Sequence, residues 1–135
     1  MTINYQTARQ EKIVAYADFT YDEFTSGTAL NLVQLPEDAT LLDLTYWVTT
    51  AFDSGTSDAM VIAFNSLTLI NDTDAQAAVR TAGTFPTTSN PDNVTVSTPT
   101  WVTGTLTSAG TAATAGKIRV VVEYAVAGRQ AFSQG

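Results

Sequence analysis

The chain has 135 residues, 44% apolar but only 14% charged, with 13 acidic against 6 basic side chains, a formal charge of −7, and neither cysteine nor histidine. That length suits one domain with one core, and the missing residue types exclude thiol nucleophiles, imidazole bases, disulfide frameworks and zinc sites built from them. No apolar run approaches the roughly 20 residues of a membrane-spanning helix, the opening lacks the basic-then-apolar layout of a secretory signal, and so acidic a chain repels a phosphate backbone, so a soluble protein with neither membrane nor nucleic acid as partner is expected.

Residues 1–10 are polar, with Ile3 and Tyr5 as their only large apolar groups. A segment of that composition frays unless something ties it down. It is expected to be an N-terminal arm laid on a neighbouring subunit, with residues 11–135 forming a single β-sandwich domain. Strands are predicted at 12–19 and 28–35. After the turn-forming Leu-Pro-Glu-Asp-Ala-Thr comes a longer strand in which Leu42, Leu44, Tyr46 and Val48 face inward and Asp43, Thr45, Trp47 and Thr49 face outward. Further strands are predicted at 59–64 and 66–70. The stretch 72–80 predicts one short helix, with Asn71, Asp72 or Thr73 as N-cap, several alanines, and Arg80 in the last turn.

Residues 82–99, broken by Gly83, Pro86, Pro91 and Pro99, read as a long loop carrying a short strand at 93–98. A strand at 101–107 and a small-residue turn at 108–116 lead into the clearest alternation of the chain, where Ile118, Val120, Val122, Tyr124 and Val126 form one buried face. About eight strands at this spacing, in a chain rich in threonine and valine, specify an all-β sandwich or barrel. No internal repeat suggests a solenoid.

Between Lys12 and Arg80 no basic residue occurs, while ten acidic ones do. Arg9 and Lys12 near one end, and Lys117, Arg119 and Arg129 near the other, either belong to an ordinary solvated face or pair with acidic surfaces of the same or a neighbouring chain. Carboxylates remain the main candidates for acid–base chemistry. Asp22 and Glu23 are adjacent and point apart, Asp53 and Asp58 bracket a Ser-Gly-Thr-Ser turn that they are expected to cap, and Asp72 and Asp74 open the predicted helix. The same oxygen-rich stretches lack the twelve-residue calcium loop and its terminal glutamate. No G-x-S-x-G elbow and no phosphate-binding glycine loop is present. No enzyme is expected, and no cofactor or metal. Most aromatic residues are expected to fill the core; Trp47, on the outer side of its strand, instead marks a contact surface, for a subunit before a glycan.

The run LPEDATLLDLTYWVTTAFDSGTSDAMVIAF, followed after a gap by TLTSAGTAATAGKIRVVVEYAVAGR, resembles small β-rich virion structural proteins of tailed bacteriophages. The matching features are Pro36 leading a strand, Phe52 before the turn marked by Gly55 and Asp58, and the closing strand of Gly116, Val120, Val122 and Tyr124 with Gly128 and Arg129 after it. The likeness runs over about residues 11–130 and departs at 59–65, where similar chains often carry a glycine.

The resemblance implies a jelly-roll-like antiparallel β-sandwich of the capsid decoration or cement type. Such a protein is made in the host cytoplasm, sits on the virion exterior as a homotrimer, and stabilises the shell by contacts with its own copies and the major capsid protein. The expected interface residues are Ile3, Tyr5, Arg9, Trp47, Arg119 and Arg129. The alternatives are a head–tail or tail-fibre component and a carbohydrate-binding adhesin module.

Overall fold

A computed structural model describes residues 12–85 and 94–126. The strands are β1 (Ile13–Thr20), β2 (Ala29–Leu35), β3 (Ala39–Thr50), β4 (Ser57–Phe64), β5 (Leu67–Asp74), β6 (Arg80–Ala82), β7 (Thr100–Ala109) and β8 (Lys117–Val126), with a 3₁₀ turn at Tyr21–Glu23. They pair antiparallel as β4 with β5, β3 with β6, β2 with β7 and β1 with β8, the pairing of one long ribbon doubled back on itself. The ribbon is then rolled, so that β8 also joins β3 and β7 also joins β4. The result is two four-stranded sheets, β1-β8-β3-β6 and β2-β7-β4-β5, in a jelly-roll arrangement. Among the described residues there is no α-helix, and none that is long and apolar enough to cross a membrane.

Alternation explains the core. On β8, Ile118, Val120 and Val122 are fully buried while Lys117 and Arg119 are exposed; on β4, Met60, Ile62 and Phe64 are the inward set. Each such side chain contributes about 1.5–3 kcal/mol of burial. The inner faces of the two sheets meet through these residues together with Leu44, Tyr46 and Val48 of β3 and Val102 of β7.

Four expectations are corrected. Leu42 does not face inward: Leu41 pairs with Tyr124 and Asp43 with Glu123, so Leu42 is the extra residue of a bulge. The bulge shifts the alternation by one, burying Leu41 and exposing Leu42. The helix expected at 72–80 does not form. Asp74 ends β5, Ala75 is fully buried with its N–H donating to the Asp58 carbonyl at 2.9 Å, and Arg80 opens β6. Burial and long-range hydrogen bonds here outweigh the helix propensity of the alanines. The expected strand at 93–98 is reduced, over the described 94–98, to an isolated bridge between Thr95 and Thr40, while Val96 exchanges backbone bonds with Asp38 and Ala39. Lastly, Trp47 is not the sole aromatic residue outside the core: Tyr16 is 63% exposed and Trp101 41%.

Gly116 closes the loop between β7 and β8. Its φ of +148° disfavours a side chain, and a Cβ there would lie 2.6 Å from the Phe52 ring. Phe52 in turn packs edge-on against Phe24, and Phe24 against Phe19, which seals this end of the sandwich. The expected N-terminal arm, with Ile3, Tyr5 and Arg9, lies outside the described residues, as does Arg129.

Candidate functional site

The carboxylates of the β3–β4 connection serve the fold. Asp53 accepts from the Thr114 N–H and hydroxyl, both at 2.7 Å, and from the Ala115 N–H at 2.9 Å, tying the loop before β8 to the loop after β3. Those bonds, that of the Thr114 hydroxyl foremost, hold its carboxyl below the usual aspartate value. Asp58 is 1% exposed and accepts from the Ser54 N–H and hydroxyl, the Ser108 hydroxyl and the Gln76 amide, at 2.5–3.0 Å. Burial pushes its carboxyl up, but the hydrogen bonds from Ser108, Ser54 and Gln76 outweigh that and leave it below the ordinary value. Its lone pairs are occupied by the protein itself. Tyr46 is fully buried with no partner for its hydroxyl among the described residues, and burial raises its pKa.

Concavities lined by described residues lie on the sandwich. One, of about 530 Å³, runs between β5 and β6 and is lined by apolar, threonine and asparagine side chains; another, of about 410 Å³, lies beside the 3₁₀ turn and includes Asp22 and Ser108. In neither do two carboxylates converge across the gap a glycoside needs.

The chemically distinctive surface is the outer face of the β1-β8-β3-β6 sheet. Antiparallel register aligns Asp18, Arg119, Trp47 and Arg80 in one row across all four strands. The Arg119 guanidinium grips Asp18 with two hydrogen bonds, at 2.8 and 3.0 Å, and lies 4.8 Å from the centre of the Tyr16 ring. That hydrogen-bonded pairing lowers the pKa of Asp18 and raises that of Arg119. Arg80 lies 5.7 Å from the centre of the Trp47 ring, which is 41% exposed. Two residues before Arg119 on the same face stands Lys117, and Lys12 reaches across to Glu123 at 3.0 Å. Thus Lys12, Arg80, Lys117 and Arg119, every basic residue among the described ones, converge on this face.

The opposite outer face differs in kind. Neither β2 nor β7 contains a charged residue, Asp58 of β4 turns inward, the exposed Asp74 stands at the end of the edge strand β5, and threonines alternate along β7 at Thr103, Thr105 and Thr107.

Of the interface residues expected from sequence, Trp47 and Arg119 are brought together as direct cross-strand neighbours. Tyr16, Asp18 and Arg80 complete the same surface and were not expected there; Lys117, already grouped with Arg119 by sequence, joins them. Spacing along β1 already places Lys12, Val14, Tyr16 and Asp18 on one side of the strand, but both sides of β1 carry apolar residues and the outer one is not marked.

The fold and this surface define a compact jelly-roll sandwich with one face that gathers the described basic side chains and one threonine-rich face. No family model matches the chain, and no curated protein matches it in sequence. Solved structures do match. A chain in the capsid asymmetric unit of cyanophage Pam1 superposes with a TM-score of 0.65 at 14% identity, over 93% of this chain and 92% of that one. A chain of the acid-stable capsid of Helicobacter pylori bacteriophage KHP30 gives 0.55 at 19% identity, over 87% and 93%. A chain of the capsid of Ralstonia phage GP4 gives 0.51 at 12% identity, over 84% of each. The likeness is one of fold: these structural neighbours are phage capsid chains, and they extend over most of their own length and of this one.

Proposed function

We propose that the protein is a structural component of a phage virion, a decoration or cement protein that binds the outside of the head and stabilises the shell without catalysing a reaction. The observation that carries this reading is the near end-to-end correspondence of a single jelly roll with chains of three phage capsids. The surface agrees with it: the distinctive groups are spread across the outer face of a four-stranded sheet, as suits contact with protein, and the buried carboxylate Asp58 is consumed by internal bonds.

In this role the chain binds the major capsid protein and its own copies, as a homotrimer. Binding to the assembled lattice in preference to its precursors or fragments stabilises the shell by the difference in binding free energy. The N-terminal ten residues supply part of the attachment, with Ile3, Tyr5 and Arg9 as their contact groups, and Arg129 contributes near the other end. The reading is tested by quantitative mass spectrometry of gradient-purified particles, with and without residues 1–10 in the chain. A stoichiometric chain count that falls on truncation, with circular dichroism of the free protein unchanged, is expected. Absence of the chain from full particles, or its confinement to isolated tails, overturns the assignment to the head.

A further inference from the structure

We propose that the outer face of the β1-β8-β3-β6 sheet is the surface by which one copy of this protein binds another, with Trp47 covered at the centre of the contact and Arg80 and Lys117 engaging carboxylates of the second copy. The inference deepens the virion reading by naming the surface and its partner, and it is tested on free protein, so either can fail alone.

The argument begins with charge. The chain carries −7 overall, yet all its described cations lie on this one face. Two of the four are already committed, Arg119 to Asp18 and Lys12 to Glu123. Arg80 and Lys117 form no salt bridge among the described residues, although Lys117 lies close enough to Asp18 for its charge to lower the Asp18 pKa; Arg80 ends the row that holds Trp47 and Lys117 stands beside it.

Three acidic groups share this face, Asp18 and Glu123 in the two ion pairs and Asp43 opposite Glu123 on β3, so its four cations outnumber its anions by one; other acidic groups gather at the ends. Register puts Thr20 beside Lys117 at one end of the sandwich, next to Asp22 and Glu23 of the 3₁₀ turn, and Ala39 beside Val126 at the other, next to Glu37 and Asp38. Glu37 and Asp38 have no cationic partner among the described residues. Copies of so acidic a molecule repel one another in most orientations. The attractive one sets the cationic face of one copy against an acidic end of the next, a head-to-tail contact of the kind that closes into a ring.

Size sets the strength. Three inter-strand spacings by four residues of strand, with side-chain margins, give a patch of roughly 400 Å² on each copy, about half of a standard interface. Association of the free protein is therefore weak and salt-sensitive, and becomes saturating only where copies are held close together.

The test is sedimentation velocity on the full chain over a concentration series, at about 50 mM and about 500 mM salt. It is read alongside the emission of Trp47 in a Trp101→Phe background. Reversible self-association that weakens with salt and blue-shifts Trp47 emission is expected. Arg80→Glu with Lys117→Glu is expected to weaken it at least about tenfold, and Trp47→Ala to weaken it at both salt concentrations. Both positions of the charge reversal are exposed, and an unchanged melting temperature verifies that the variant is folded. A chain that stays monomeric throughout, or that associates with Trp47 emission unmoved and with the charge reversal silent, overturns the proposal. Loss of association in the variants, with the protein absent from particles, leaves this surface standing and removes the virion reading instead.

Discussion

Asp58 and Ser108 face each other across β4 and β7, fifty residues apart in sequence, and the Ser108 hydroxyl donates to the Asp58 carboxylate at 2.5 Å. The same carboxylate holds Ser54 from the β3–β4 connection and Gln76 from the segment after β5. One buried anion on β4 therefore ties together the β3–β4 connection, the segment after β5 and β7. Replacing Asp58 with Ala strands its hydrogen-bond donors, and at about 1–3 kcal/mol for each buried unsatisfied group the variant is expected to lose about 3 kcal/mol or more. Asp58→Asn keeps the shape and loses less. Urea denaturation of the two variants against the parent measures the difference.

The folded-state pKa of Asp58 is depressed, so the stability this carboxylate contributes is present above the unfolded aspartate value of about 3.9 and is lost as pH falls through the folded one. Asp53 and Asp18 are shifted in the same direction and add to the slope. The melting temperature is expected to hold between about pH 7 and about pH 5 and to drop steeply towards about pH 2, with a shallower drop in Asp58→Asn. Calorimetry across that range checks it; equal slopes in the parent and the variant would remove Asp58 from the account.

Leu41 and Leu42 are adjacent and chemically identical, yet the bulge buries the first and exposes the second. Leu41→Ala is expected to cost about 2–5 kcal/mol and Leu42→Ala less than about 1 kcal/mol. Similar losses from the two would mean the bulge lies elsewhere.

Val122 is fully buried at the middle of β8. Val122→Asp places an unpaired charge among Leu44, Val120 and their neighbours and is expected to unfold the domain, at a cost of several kcal/mol. A soluble, native-like variant by circular dichroism would show the inner face of β8 to be reversed. Gly116→Ala is expected to destabilise by about 1–3 kcal/mol, because the added methyl meets the Phe52 ring and φ is +148°. Chemical denaturation resolves that loss.

What sequence alone conveyed follows from how each signal arises. β8 and the second half of β3 were legible because one side of each is apolar and the other polar, and the two-layer all-β form follows from that alternation repeated along the chain. The bulge at Leu42 was not, since an inserted residue changes phase without leaving a compositional mark. The segment after β5 looked helical because alanines favour a helix in isolation, whereas here the buried Ala75 and the Gln76 side chain are held by partners from β4 and the loop before it. β6, three residues long, is too short to show a period. In the candidate site Trp47 stood out because a large aromatic sat on the polar side of its strand. The row joining it to Arg119, Asp18 and Arg80 depends on register between strands up to a hundred residues apart, which no local pattern encodes.

The measurement closest to the central claim is an electron cryomicroscopy comparison of heads assembled with and without this chain. The account predicts additional eight-stranded density on the outer surface, repeating with the symmetry of the shell and missing from the particles that lack it. Identical maps from the two preparations would contradict it.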